Sequence, residues 1–364
     1  IFFFALGQLG RIVNPNFSLP IQLNDVVIFV MVSFWAIKPV SWKKIKDDWI
    51  TRPLLLWILA MTVSLALNAS HLTSEQLVSS LAYLLRFVIY SGVYYLAKDL
   101  YRGDLRRGFS LWYFAFLFVA ILGFVQYVFL PSIYFFNYAG WDDHYYRLVS
   151  TFFDPGFTGA ILVFGLVFVY LSKLAPVYRT ITLIILYLAL SLTYSRASFA
   201  MFLTAFAMIA WRLQKPRVFV AAIILILLTV LLLPKTAGEG TKLGREYSIW
   251  SRINNWKQSI EVWQDSPIWG VGYNSYRYSL EKHNIPISSD LVVSHGGGAD
   301  SSVMLVLATT GILGLLAYGN LWVQIVKRNW RNLLFLASFT GLFVHSWFNN
   351  TLFYPWAMEW LWLV

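Results

Sequence analysis

An all-α bundle that crosses a lipid bilayer about twelve times is the fold this sequence predicts, and three observations predict it. Hydrophobic residues make up 59% of the 364 residues and charged residues only 12%, with a mean hydropathy of +0.63, well outside the usage of soluble domains. Runs of ~20 apolar residues recur along the whole chain, each long enough to cross the hydrocarbon core. The lysines and arginines of the short connectors fall into two alternating sets of very unequal size, as in chains that weave through a membrane. There is no cysteine, which excludes a disulfide framework and a thiolate metal site.

The apolar segments lie near 1–10, 21–37, 53–68, 75–97, 108–130, 157–172, 180–194, 197–211, 217–233, 301–325, 333–347 and 351–364, the first and last reading as partial spans. Together they form one transmembrane domain over 1–364. The connectors on one side hold Lys38, Lys43, Lys44, Lys46 and Arg52, then Lys98, Arg102, Arg106 and Arg107, then Lys173 and Arg179, Arg212, Lys215 and Arg217, and Lys327, Arg328 and Arg331. The opposite short connectors hold only Arg11, Arg147 and Arg196. Positive loops remain cytoplasmic, so both termini are expected inside and the long 235–299 loop, between the ninth and tenth spans, outside. All five histidines (His71, His144, His283, His295 and His345) fall on that outer side.

The 235–299 loop holds most of the non-membrane chain. Its basic and acidic side chains nearly cancel, so the net charge of +11 reflects topology and lipid headgroups, and no nucleic-acid footprint is present. An anionic ligand outside must be held by individual arginines. Within the loop Trp250, Ile253, Trp256, Ile260 and Trp263 recur at spacings of three and four, which predicts an amphipathic helix that either lies in the headgroup zone or packs on the bundle. Arg252 falls at the stripe's edge. Pro267 ends the helix, and Gly270 and Gly272 let the chain turn tightly.

Five further features carry candidate chemistry. Arg86 sits near the middle of the fourth span, where a charge is costly and is either paired or functional; Glu359 is the acid expected at similar depth. Arg196, in Thr193–Tyr–Ser–Arg196–Ala–Ser198, occupies a very short outer turn at headgroup level, where guanidinium grips phosphate oxygens in pairs. Arg147 precedes Ser150–Thr–Phe–Phe–Asp154–Pro155–Gly156, a helix-start motif for the sixth span. Asp142–Asp143–His144 has metal-ligand residue types without partners at metal spacing. His295–Gly–Gly–Gly298 resembles a lipase oxyanion loop, but no Gly-x-Ser-x-Gly elbow accompanies it; the glycines read as a flexible approach to Asp300–Ser–Ser302 and the tenth span.

Arg147…Ser150–Thr–Phe–Phe–Asp–Pro155, Ser195–Arg196–Ala, Arg252-x-x-x-Trp256…Pro267-x-x-Gly270-x-Gly272, Asp300–Ser–Ser302…Gly311–Ile–Leu–Gly314 and Asn349–Asn350 occur in an order that resembles the O-antigen ligase and polymerase family of bacterial membrane glycosyltransferases. The resemblance implies a twelve-span bundle of the membrane glycosyltransferase C type in the plasma membrane. It implies transfer of glycan from an undecaprenyl-diphosphate carrier to an acceptor hydroxyl on a lipid or glycan at the outer face, inverting and without a metal or other cofactor. Arg196, Arg252, Arg147 and Arg86 would then hold the diphosphate. Ligases of the family place a histidine about eleven residues before the glycine matching Gly311; that position is Asp300 here, with His295 five residues earlier. The base is therefore His295 or Asp300, with helix capping as the structural alternative for Asp300. A transporter or flippase for lipid-linked sugars is the alternative from another class, but the short sixth–seventh connector and late outer insertion depart from the two-repeat plan of such proteins.

Overall fold

The computed structural model describes residues 1–12, 20–101, 108–139, 141–234, 239–244, 246–283 and 298–364. It is a helical bundle. Fifteen α-helices follow one another among the described residues: α1 (Phe2–Leu6), α2 (Leu23–Ala36), α3 (Pro39–Asp47), α4 (Thr51–Asn68), α5 (Ser74–Tyr101), α6 (Phe109–Phe129), α7 (Pro155–Leu171), α8 (Pro176–Leu192), α9 (Arg196–Leu213), α10 (Pro216–Leu232), α11 (Tyr247–Gln264), α12 (Tyr276–Leu280), α13 (Ser302–Arg328), α14 (Leu333–His345) and α15 (Pro355–Leu363). One two-stranded antiparallel bridge pairs Arg11–Ile12 with Ile21–Gln22.

Among the described residues five helices are long and apolar enough to cross a membrane: α4 with its short extension to His71, α5, α6, α9 and α13. The pair α2 and α3 passes the same test as one span bent by 96°, and α7, α8, α10 and α14 are apolar but shorter. This is a multi-pass membrane protein. Of the twelve expected segments, the two expected as partial form the five-residue α1 with a 3₁₀ turn and the nine-residue α15, and full-length spans among the described residues number five or six.

Composition does not set position in the bundle, since lipid tails are as apolar as leucine. Helix α7 lies at the centre, buried along nearly its whole length. Helix α15 is buried as well, and Trp360 packs its ring against Trp112, Phe116, Phe164 and Phe168. Around them α6 and α10 leave Leu111, Phe114, Ile121, Val220, Ile224 and Leu231 exposed, the surface a lipid would cover. Helix starts obey local chemistry: Asp154 Oδ1 accepts from Phe157 N at 2.8 Å with Pro155 in the first turn of α7, and Ser195 Oγ accepts from Ser198 N at the head of α9.

Helix α13 is broken at Gly311, which takes φ +63°, ψ −167°. The segment before α12 fills the break. Val271 N donates to Ala308 O and Gly272 N to Thr309 O, while Ile312 N and Leu313 N donate to Pro267 O and Ile268 O. Non-helical backbone inside a membrane bundle must be satisfied internally, and this exchange does so, with Ser64 Oγ donating to Thr309 O and Asn68 Nδ2 to Gly270 O. Only glycine fits at the crossing: a Cβ on Gly270 would stand 2.3 Å from Thr309 C, and one on Gly311 2.3 Å from Ile268 O. Pro267-x-x-Gly270-x-Gly272 is therefore a hook that ties the long loop to α13, a tertiary role beyond the tight turn its glycines suggest.

The expected amphipathic helix is α11. It packs inward through Ser259 and Val262, while Trp250 and Ile260 stay exposed. The apolar stripe thus splits, one edge (Trp256, Trp263) turned to the bundle and the other outward.

Candidate active site: an arginine-lined cavity

Where α7 and α9 begin, and α11 crosses over them, a cavity of about 500 Å³ opens. His144, Arg147, Asp154, Arg196 and Arg252 bring charge or a titratable group to its wall; Asn349, Trp256 and Ile253 add polar and apolar faces. Two helix N-termini point partial positive charge at the same space.

The three arginines are held differently. Arg147 is buried and its Nε donates to Thr193 O at 3.0 Å, its Nη2 to Tyr194 O at 3.4 Å. It thereby braces the turn before α9, where Tyr194 sits at φ +49°, a conformation that L side chains adopt at a cost of about 1–3 kcal/mol. Arg196 Nη1 donates to Leu243 O at 3.2 Å, so the α9 head grips the early part of the long loop. Arg252 stacks over Phe348 with 5.8 Å from Cζ to the ring centre and reaches Asn349 Oδ1 at a long 3.5 Å. Among the described residues its Nη1 is buried without a hydrogen-bond partner. Burial lowers the Arg252 pKa, against the opposing pull of Asp300 and Asp154.

Beneath the arginines lies a neutral network. His345 is fully buried; Thr351 Oγ1 lies 3.2 Å from its Nδ1, and Ser198 Oγ and Asn349 Nδ2 each 3.3 Å from its Nε2. Beside the cavity, His144 Nε2 stands 3.7 Å from Asp154 Oδ2.

The structure brings Arg147, Arg196 and Arg252 together. It does not bring Arg86 to this cavity: Arg86 Nη2 bonds Asp25 Oδ2 at 2.7 Å and Pro20 O at 2.5 Å. Glu359, the expected partner of Arg86, accepts instead from Asn24 Nδ2 at 2.8 Å. Asp300 does not line the cavity, but its backbone N–H donates to Asn255 Oδ1 on α11 at 2.8 Å, and burial raises its carboxyl pKa while Arg252 opposes the rise. The α13 cap is Ser301, whose Oγ accepts from Met304 N, so Asp300 is not needed for capping. His295 lies outside the described residues. Asp143, one of the metal-type residues, braces its loop by accepting from Ser132 Oγ and Ile133 N at 3.0 Å each; among the described residues no group of three metal-type side chains converges.

His144, Asp154 and Asn349 are among the cavity residues that sequence reasoning did not assign to the site. Each was visible only in another role: metal-type triplet, helix cap and tail signal.

Fold and cavity together define a multi-pass membrane protein with an arginine-lined cavity at clustered helix ends. Residues 181–319, a little over a third of the chain, match the family model described as O-antigen ligase, so this region is similar to an O-antigen ligase/polymerase-like family. The match runs from α8 into α13 and includes Arg196, Arg252, the hook and Asp300; Arg147 and Arg86 precede it. Among curated proteins none matches the chain.

Proposed function

We propose that this protein moves an oligo- or polysaccharide from an undecaprenyl-diphosphate carrier to an acceptor hydroxyl on the outer face of the bacterial plasma membrane, with inversion at the anomeric carbon. The observation that carries this reading is the cavity wall of Arg147, Arg196 and Arg252, with one buried Arg252 nitrogen that has no hydrogen-bond partner among the described residues. Diphosphate leaves readily once its charge is neutralised, and fixed donors aimed at developing charge do this without reorganisation. Arg252 supplies the open donor, and Arg196 and Arg147 hold the frame while adding charge. Ile249, Ile253 and Ala200 on the same wall suit the first prenyl units. Asp300 acts on Arg252 through its charge.

The test uses purified protein in lipid nanodiscs with an undecaprenyl-diphosphate oligosaccharide and a hydroxyl acceptor. Release of undecaprenyl diphosphate with a glycan-extended acceptor is expected. No transfer with any lipid-linked donor, alongside movement of the donor across vesicles, would instead support a transporter. In cells, deletion leaving single repeat units marks a polymerase, and deletion leaving full-length unattached polymer marks a ligase.

A further inference from the structure

Resting on that reading, we infer that His144, with Asp154 beside it, is the catalytic residue that takes the proton from the acceptor hydroxyl. Among the described residues lining the cavity it is the one imidazole. Asp154 is fixed by the α7 backbone, its Oδ1 accepting from Phe157 N, and its Oδ2 stands 3.7 Å from His144 Nε2, close enough for charge attraction though beyond a hydrogen bond. A base oriented by a second group is the arrangement proton transfer requires. Directing Nε2 at the carboxylate makes Nδ1 the accepting atom.

The other described candidates are placed less well. His345 has groups within hydrogen-bond distance of both ring nitrogens and no exposure. His283 Nε2 is paired with Asp265 Oδ2 at 2.9 Å, and neither residue lines the cavity. Asp300 is likewise absent from the wall.

The electrostatic surroundings suit the role. His144 is faced by Asp142, Asp143 and Arg147 of its own loop and by Asp154 from the head of α7, with Arg196 of α9 and Arg252 of α11 on the same wall. Burial lowers its pKa below the ordinary 6.5; Asp154 opposes this and Arg147 adds to it. The ring is therefore neutral and able to accept a proton at pH 7. In the step, the acceptor O–H bond breaks and its proton passes to His144 Nδ1. The oxygen's electron pair forms the bond to the anomeric carbon, and the bond from that carbon to the diphosphate oxygen breaks, its pair leaving with the diphosphate among the arginines. Asp154 stabilises the imidazolium until the proton is lost to water.

His144→Gln and Asp154→Asn, purified and assayed with an undecaprenyl-diphosphate oligosaccharide and a hydroxyl acceptor, test this. His144→Gln is expected to lower kcat by ~10²- to 10⁴-fold with donor KM unchanged. Asp154→Asn keeps an oxygen for the α7 cap; it should lower kcat less and move the acid limb of the pH profile to lower pH, because the lost carboxylate was raising the His144 pKa. If His144→Gln unfolds, His144→Ala with free imidazole replaces it: recovered turnover supports the assignment, and no recovery in a variant melting like wild type counts against it. Wild-type kcat in His144→Gln beside an inactive Arg252→Ala overturns the base alone. Wild-type kcat in both overturns the diphosphate reading as well.

Discussion

Two half-buried arginines in this bundle show opposite solutions to the same problem. Arg86 lies within α5 and is enclosed by partners: a carboxylate and a carbonyl on Nη2, and the Tyr83 ring 5.1 Å from Cζ. Asp25 is itself held by Tyr90 and by the Gln22 backbone, and Asn24 carries the network to Glu359. Arg252 lies on the loop helix with a ring, one long contact to an amide, and a buried nitrogen without a partner among the described residues. Charge that serves the fold is neutralised inside it, because an unpaired buried ion costs several kcal/mol. On the proposed function, the charge of Arg252 keeps capacity in reserve for the diphosphate.

Exchanging each arginine for an uncharged residue breaks the comparison most directly. Arg252→Ala is expected to lower transfer by ~10²- to 10³-fold, the usual loss for one donor at a developing oxyanion, while melting at or above the wild-type temperature. Arg252→Lys should recover little, since a point charge does not reproduce the planar fork. Arg86→Met should do the reverse: about 3–5 kcal/mol of stability lost by stranding Asp25, with near-normal turnover per folded molecule. Adding Asp25→Leu should restore most of that stability, short of about 1 kcal/mol for the lost helix cap. Thermal melts and turnover on the same preparations decide it; an Arg86→Met protein that melts normally but cannot transfer would move Arg86 into the site.

The sequence made the two arginines look more alike than they are. Apolar runs marked the helices, and the local chemistry of Asp154–Pro155 and Ser195–Arg196 marked where two of them begin at the cavity. Span depth suggested Glu359 for Arg86. The long arginine side chain instead reaches Asp25 in the first turn of α2, and that choice depends on how α2 packs against α5. The hook was half legible, since its glycines were evident but nothing local to 267–272 points to 308–313. His144 was read beside Asp142 and Asp143, its neighbours in sequence, while the partner that matters arrives from α7. Cavity membership is a property of loops meeting across the bundle, and single-sequence spacing does not carry it.

The hook joins the two regions mechanically, since it connects α11, which bears Arg252, to the break in α13. Gly311→Ala places a Cβ against Ile268 O at a φ of +63°. About 1–3 kcal/mol is expected from the backbone conformation alone, with further loss as 267–272 is pushed out of the break. Transfer should fall with it, and hydrogen exchange should rise at Val271, Gly272, Ile312 and Leu313. Normal protection at those amides would mean that the exchanged bonds do not anchor the loop.

Asp300 provides the smallest and sharpest test. Its carboxyl is buried behind Arg252, and burial raises its folded-state pKa above 3.8 despite the opposing arginine. A carboxyl with a raised folded pKa costs stability once both states are ionised, and the cost disappears below the unfolded pKa, where both are protonated. Asp300→Asn should therefore melt at or above the wild-type temperature near pH 7, and the difference should vanish as pH falls through the carboxylate range. Turnover should fall by less than about tenfold, because the residue tunes Arg252 without touching the acceptor, well short of the loss expected for a general base. If Asp300→Asn instead loses as much kcat as His144→Gln was expected to, and its pH profile loses the acid limb, the proton goes to Asp300 and His144 is a neighbour of the site.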